Sequence, residues 1–241
     1  MCGALFLRIM SFLDNKIFLI SITFIAFLGA KLLQRRTGIA LLNPILVSII
    51  ILVLFLMAFG IDYDSYLAGG EYIDFWLKPA VVALGVPLYR QLETIRKQML
   101  PLLIAELAGC VAGVISVVVV AQLLGASKEV IMSLAPKAVT TPIAMEISQS
   151  VGGIPSLTAA VVVCTGIFGG MTGFQLVKLS HIKSPIATGL SIGTAAHAVG
   201  TSAAMEKGER YGTFSSLGLT LNGLLTAMLA PAILSFLGYP E

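Results

Sequence analysis

Charged residues are scarce in this chain. Of its 241 residues, 11% are charged, whereas 57% are hydrophobic, and the mean hydropathy is +0.98. Soluble domains carry about 25% charged residues, so this chain has too few charges to cover a surface in water. The apolar residues occur in long runs, whereas the strands of a membrane barrel would alternate at every second residue. The sequence therefore predicts an all-α, polytopic membrane protein.

Residues that commonly carry catalysis or bind metals are also few. The three cysteines, Cys2, Cys110 and Cys164, lie far apart without a CxxC pair, and the two histidines are His181 and His197. This spacing fits neither a zinc site nor a disulfide framework. The sequence also lacks a phosphate loop, a nucleophile elbow and an HExxH motif. We therefore expect neither an enzyme nor a metal or other cofactor.

Long apolar segments set the expected topology. The net charge of +3 comes from basic residues scattered at segment ends, where they orient membrane helices and offer no surface for nucleic acid. We expect an N-terminal extension over residues 1–16 and a single transmembrane domain over 17–241. Asn43 and Asn222 lie in apolar spans, and we expect both to bond between helices. About six segments are long enough to cross a bilayer. They lie at residues 17–33, 39–61, 75–92, 100–124, 154–179 and 211–237.

A polar stretch at residues 134–153 interrupts this pattern. Pro136 and Pro142 lie within it, and Gly152 and Gly153 close it. Proline disrupts the helical hydrogen-bond ladder, and a broken apolar segment with polar residues is typical of a transporter binding site. The alternative is a short amphipathic helix at the membrane surface.

Four side chains in this stretch are candidates for binding. Lys137 is either the counter-ion of an anionic substrate or a lysine that reaches the interface. Thr140 and Thr141 precede a proline at the start of a predicted half-helix, so they either cap it or contact a ligand. The free N–H groups of such a helix end favour an anion. Glu146, one turn later, either binds a coupling ion or proton or pairs with Lys137.

A second polar stretch covers residues 184–205. On a helix, Thr194, His197 and Thr201 lie at i, i+3 and i+7 on one face, and we assign all three to substrate binding. His197 is also a candidate for proton coupling, because imidazole titrates near neutral pH. The alternative is a packed histidine bonded to a neighbouring carbonyl. The preceding span is expected to pack closely through small residues, namely Gly166, Gly169, Gly170 and Gly173.

Basic residues also predict how the two polar stretches enter the membrane. Loops 31–36 and 90–97 should be cytoplasmic. Lys178 and Lys183 then fall inside only if residues 134–150 dip into the membrane and return, and residues 184–205 can do the same from the other face. This is the pattern of an inverted repeat with a site at the midplane, as in an elevator-like transporter. The same topology places Arg8 and Lys16 outside the cell, against the rule that basic residues lie on the cytoplasmic side.

The motifs in these stretches resemble the signature of LrgB/CidB-family membrane proteins, and the resemblance extends over nearly the whole chain from about residue 17. It lies in PKAVTTPIA at 136–144, GGIP at 152–155, GTAAHAVGT at 193–201, LNP at 42–44, DYDSY at 62–66, KPAVVAL at 78–84 and FSSL at 214–217.

The resemblance implies a multi-pass protein of the bacterial inner (plasma) membrane that works with a small LrgA/CidA-type membrane partner. The family was first described as holin-like, with effects on murein hydrolase activity and autolysis. The resemblance also reaches the C-terminal half of the plastid glycolate/glycerate translocator, and bacterial relatives are linked to pyruvate movement. We also expect a homo-oligomer, such as a dimer.

Two functions follow from these observations. The first is a carrier for small monocarboxylates such as pyruvate, glycolate, glycerate or lactate, linked to a proton or an ion. The second is a holin-like pore or regulator of murein hydrolysis. It needs no specific site, so it predicts that Lys137→Ala and His197→Ala leave function intact. An intramembrane enzyme is disfavoured, because no paired carboxylates or Ser/His arrangement shows the spacing that hydrolysis needs.

Overall fold

The structure, a computed structural model, describes residues 15–39, 42–76, 79, 83, 85–90 and 92–239, and every regular element within these residues is a helix. Apart from Asn15 and Lys16, the predicted extension at 1–16 lies outside the described residues, as do Cys2 and most of the motif at 78–84. In chain order the helices are α1 (Lys16–Thr37), α2 (Pro44–Phe59), α3 (Tyr63–Phe75), α4 (Gly85–Arg90), α5 (Leu92–Lys97), α6 (Met99–Leu123), α7 (Lys128–Leu134), α8 (Thr141–Ser150), α9 (Pro155–Leu179), α10 (Pro185–Lys207) and α11 (Glu209–Phe236).

Among the described residues, four helices are long and apolar enough to cross a membrane: α1, α6, α9 and α11. Helix α2 is also apolar, but it has only 16 residues. A bilayer core needs about 20 residues of helix, so the four longer helices are the candidate spans. The structure thus confirms the all-helical membrane class. The count of about six spans, the single-domain organisation and the elevator-like arrangement stay predictions.

The chain divides into two compact units, Met1–Ala83 and Leu84–Glu241. In the first unit, Asn43 is the N-cap of α2, and its side chain accepts hydrogen bonds from the backbone N–H groups of Ile45 and Leu46. Pro44 follows at the first helical position, where its missing N–H costs nothing. The expectation that Asn43 bonds between helices is therefore wrong, because the residue lies at the start of α2 and caps it.

Helix α3 begins with a local cap. The carboxylate of Asp62 accepts the backbone N–H of Ser65 at 3.0 Å and the hydroxyl of Ser65 at 2.9 Å. These hydrogen bonds lower the pKa of Asp62 below its ordinary value, and the bond from the backbone N–H has the larger effect. One turn later, the hydroxyls of Tyr66 and Thr23 lie 2.9 Å apart and join α3 to α1. The DYDSY motif therefore has a structural explanation.

In the second unit, α9, α10 and α11 approach one another closely through small residues. A Cβ at Gly166 would lie 2.6 Å from the His197 ring, and one at Gly173 would lie 2.5 Å from Ile192. A Cβ at Gly193 would overlap the Ser215 carbonyl of α11. The expected close packing of the α9 glycines is therefore confirmed, and α10 is their partner.

The core of this unit surrounds the interruption between α7 and α8. Its buried apolar residues come from α6, α7, α8, α9, α11 and the non-helical segment itself, where Val139 is fully buried. Irregular backbone at membrane depth is tolerated only where protein buries it or a cavity solvates it. This packing explains how a non-helical segment persists among apolar helices.

Candidate functional site

The polar stretch at 134–153 contains the predicted break. Helix α7 ends at Leu134 and α8 begins at Thr141, with six non-helical residues between them. Pro142 occupies the first turn of α8. Because proline cannot continue a ladder from the preceding turn, one continuous helix is excluded. The structure confirms the break; a re-entrant path through the membrane stays a prediction.

A set of hydroxyls fixes the far end of α8 to α7. Thr158 Oγ1 lies 2.7 Å from the Ser148 hydroxyl and 3.0 Å from the Ser133 carbonyl, and the N–H of Ile154 donates to Ser133 Oγ at 2.7 Å. Gly152 has a φ of 80°, which favours glycine. The GGIP motif therefore makes the turn that holds α8 and α9 against α7.

Next to the break lies a cavity of about 80 Å³. At about 30 Å³ per molecule, it has room for a few waters. It opens between α6, α10, α11 and the break, and its polar side chains are Cys110, Lys137, Thr194, Asn222 and Thr226. Two of the predicted binding residues, Lys137 and Thr194, therefore come together.

Asn222 connects the walls of this cavity. Its Nδ2 donates to the Ala138 carbonyl of the break at 3.1 Å and to the Thr194 carbonyl of α10 at 3.0 Å. Its Oδ1 lies 3.3 Å from Thr226 Oγ1, which in turn lies 3.3 Å from Cys110 Sγ. The expectation that Asn222 bonds between helices is confirmed. One amide thereby fixes the position of the break relative to α10 and α11.

Glu106 lies beside this network in α6. Its side chain is buried, and the hydroxyl of Thr194 approaches its Oε1 at 2.6 Å. Sequence reasoning missed this residue, because the span at 100–124 was read as uniformly apolar. A single carboxylate in such a span was the available signal, since ionisable residues at membrane depth are rare and costly. Cys110 and Thr226 carried no comparable signal.

The other predicted residues lie away from the cavity lining. His197 is buried, and its Nε2 donates to the Val162 carbonyl of α9 at 2.9 Å, since a carbonyl can only accept. Thr201 is buried with its hydroxyl 2.9 Å from that of Ser215. Glu146 is exposed on α8. These contacts match the alternative of a packed histidine bonded to a carbonyl.

The two threonines before Pro142 lie at the start of α8. Thr140 occupies the N-cap position, but its side chain makes no capping hydrogen bond. Thr141 is the first helical residue, and both threonines are half-buried. A cap normally satisfies one of the free N–H groups of the first turn. The Thr140 hydroxyl therefore does not serve the capping role that the sequence left open.

Helix α10 contains an interruption of a different kind. His197 has φ 40° and ψ −133° within an otherwise helical run. Thr194 precedes this residue and faces the cavity, whereas His197 and Thr201 contact α9 and α11. The helical spacing that predicted a shared face assumes regular backbone, and the kink breaks that assumption.

These features define a polytopic helical membrane protein with a small polar cavity at a helix break. The sequence model of the LrgB-like family matches residues 23–236, so the chain belongs to that family. The resemblance read from the motifs is thereby confirmed.

Individual relatives are similar over most of their length. The chain is 37% identical over 217 residues to the Uncharacterized protein YxaC of Bacillus subtilis (strain 168). The aligned region covers 90% of this chain and 94% of the relative. It is 34% identical over 211 residues to the Antiholin-like protein LrgB of Bacillus cereus (strain B4264), covering 88% and 92% respectively. The same values apply to the Antiholin-like protein LrgB of Bacillus anthracis (strain CDC 684 / NRRL 3495). No solved structure matches the chain.

Proposed function

We propose that this chain is an antiholin-like protein of the bacterial inner membrane that regulates murein hydrolase activity and autolysis. Membership of the LrgB-like family over residues 23–236 supports the proposal, as does the antiholin-like name of relatives that cover 88% of the chain. The function requires a membrane protein, and the four candidate spans satisfy that requirement. We further propose a small LrgA/CidA-type membrane protein as partner and a homo-oligomer, such as a dimer, as the working form.

The structural observation that supports this function over a carrier is the size of the cavity. Its volume of about 80 Å³ is small beside the roughly 300–1,000 Å³ of pockets that bury drug-sized ligands. A regulator that acts through helix packing needs no larger site.

The test is the lysis of cells that lack their own LrgB-family protein. Expression of this chain, with and without an LrgA/CidA-type partner, is expected to change the rate of detergent-induced autolysis and the murein hydrolase bands of cell extracts. The empty vector is the control, with membrane abundance measured by immunoblot. Unchanged lysis and unchanged hydrolase bands at full abundance would overturn the proposal.

A second candidate function is a carrier for small monocarboxylates, and one observation favours it. Lys137 and Thr194 line the same cavity, and α8 begins at Thr141, four residues after Lys137. A cation and a helix N-terminus together suit a carboxylate. The broken segments would then move against a scaffold of about six spans in an elevator-like cycle. The residues assigned to this function are Lys137, Thr140, Thr141, Thr194, His197 and Thr201 for substrate, and Glu146 and His197 for coupling.

Uptake into proteoliposomes separates the two functions. Labelled pyruvate, glycolate and lactate would be offered to wild type and to Lys137→Ala, with and without a pH gradient and the partner. Lys178→Ala is the matched control, because Lys178 is exposed at the end of α9. Saturable uptake that Lys137→Ala alone removes would favour the carrier. No uptake under any condition would exclude it.

A further inference from the structure

Glu106 is a buried carboxyl that neither proposed function uses. It lies in the first third of α6 and is 1% exposed, and its Oε2 has no hydrogen-bond partner among the described residues. An isolated carboxylate in apolar surroundings is so costly that the group normally binds a proton instead. The burial and the unpartnered oxygen therefore indicate a neutral side chain.

The hydrogen bonds of Thr194 lead to the same result by counting hydrogens. Thr194 Oγ1 lies 2.6 Å from Glu106 Oε1 and 2.8 Å from the Leu190 carbonyl oxygen. A hydroxyl carries one hydrogen and can donate to only one of two acceptors. The Leu190 carbonyl has no hydrogen to give, so both contacts are satisfied together only when the carboxyl supplies the second hydrogen. Glu106 then donates to Thr194, and Thr194 donates to Leu190.

The packing of α11 closes this pair. A Cβ at Gly218 would lie 3.1 Å from Glu106 Oε1, 3.2 Å from Thr194 Oγ1 and 2.6 Å from the Leu190 carbonyl oxygen. Only a residue without a side chain allows α11 to cover the three atoms this closely. The arrangement is therefore a fitted enclosure for the carboxyl and the hydroxyl.

The charged and titratable groups around Glu106 come from few elements. Cys110 lies one turn along α6, with its Sγ beside Thr226. Lys137 faces the adjoining cavity from the break, and α11 contributes Gly218 and Asn222, which do not titrate. On α10, the neighbour of Glu106 is Thr194, while His197 is bonded to Val162. Glu106 is thus the carboxyl of this cluster.

We propose that Glu106 and Thr194 form a proton-binding site in which Glu106 carries the proton and exchanges it with water in the adjoining cavity. Thr194 lines that cavity, so its hydroxyl can accept the hydrogen of Glu106 while its own hydrogen leaves the Leu190 carbonyl and passes to a water molecule. The products are a carboxylate and a hydrated proton, and the reverse step restores the neutral acid. The site is separate from the predicted coupling residues Glu146 and His197, and it stands whether the chain regulates lysis or carries a solute.

The test uses dicyclohexylcarbodiimide, an apolar reagent that modifies protonated carboxyls in membrane surroundings. The full chain in lipid vesicles would be treated across a range of pH and each glutamate read by peptide mass spectrometry. We expect modification at Glu106 that is lost as the pH rises, with the exposed Glu129 and Glu209 unmodified as controls within the same chain. Modification at Glu106 no greater than at those two glutamates would overturn the proposal. Protection by sodium at constant pH would also overturn it, in favour of a cation site.

Variants separate a proton site from a structural role. Glu106→Gln keeps the shape of a neutral acid, so we expect an unchanged unfolding temperature together with loss of the protonated-carboxyl band in infrared pH-difference spectra. Thr194→Val should shift the pH at which that band disappears. Thr194→Ser keeps the hydroxyl, so it should return that pH to the wild-type value. A band that persists in Glu106→Gln would contradict the assignment. A Glu106→Gln protein that unfolds at a much lower temperature would also contradict it, because that is the result expected from the loss of a structural carboxylate.

Discussion

The two interrupted helical segments of this protein are built differently. Between α7 and α8 the helix is absent over six residues, with prolines at 136 and 142, and Lys137 faces a cavity. In α10 only His197 leaves helical geometry, and its ring is bonded to the Val162 carbonyl. The first interruption is made by the local sequence, whereas the second depends on neighbouring helices.

This difference shows that polar residues in an apolar chain have two distinct roles. Both stretches looked alike in sequence, with hydroxyls, one basic residue and small residues. In α10 the polar side chains of His197 and Thr201 are bonded within the protein. At the break, Lys137 is beside space that water can occupy. The hydrogen-bond partner, rather than the polarity, decides which residues are available to a ligand or proton.

The largest expected effect comes from filling the space that the His197 ring occupies. Gly166→Ala places a Cβ 2.6 Å from that ring, and overpacking of this kind costs about 1–3 kcal/mol. Thermal unfolding in detergent micelles would measure the loss. Gly29→Ala in α1 is the control, because its Cβ meets nothing within 4 Å and alanine favours a helix by roughly 0.5–1 kcal/mol. Equal stability of the two variants would contradict the packing account.

His197→Ala is the next strongest test. It leaves the buried Val162 carbonyl without its partner, which costs about 1–3 kcal/mol. His181→Ala is a close control, because His181 also has a positive φ, 58° against 40° for His197, but is exposed. Both variants replace a histidine at a positive φ, so the difference in unfolding temperature reports the buried ring of His197 and its hydrogen bond. The same loss in both variants would contradict a stabilising role for the buried His197 ring and its hydrogen bond.

A smaller effect is expected from Thr201→Val. Its hydroxyl bonds that of Ser215 across α10 and α11, and a buried bond between neutral groups contributes about 1 kcal/mol. A double-mutant cycle with Ser215→Ala would isolate this coupling from the separate effects of each substitution. Additive changes in the cycle would mean that the two hydroxyls do not stabilise the helix pair.

The smallest effect is expected at the start of α8. Thr140 makes no side-chain cap, so Thr140→Ala should change stability by less than about 0.5 kcal/mol. Ser184→Ala at the start of α10 is the matched comparison, because Ser184 Oγ accepts the Ala187 N–H at 3.4 Å and loss of a cap costs about 0.5–2 kcal/mol. Chemical denaturation of both variants would rank them. A larger loss of stability for Thr140→Ala than for Ser184→Ala would contradict this and would mean that the Thr140 hydroxyl caps α8.

Local chemistry explains which features could be predicted from sequence. Composition predicted the helical membrane class, and proline predicted the break at 136–142, since both depend on residues adjacent in the chain. The family followed from motifs spread along the chain. The cap at Asn43 was misread because an asparagine before proline was placed inside the span instead of at its start.

The remaining features depend on contacts between distant residues. The kink at His197 occurs in a run without proline, and its ring occupies the space left by Gly166, 31 positions earlier. The cavity needs α6, α10 and α11 to meet the break, and periodicity within one helix cannot predict that meeting. Glu106 was detectable as a lone carboxylate, but its pairing with Thr194 was not.

The most direct test of the proposed antiholin-like function is the rate of autolysis in cells that express wild type, Lys137→Ala or an empty vector, with the two proteins at equal membrane abundance. Regulation through helix packing predicts that wild type and Lys137→Ala alter lysis equally, because neither a carboxylate site nor a large cavity is needed. No effect of the wild type would contradict the account. An effect that Lys137→Ala abolishes would also contradict it and would favour a function that depends on the cation at the helix break.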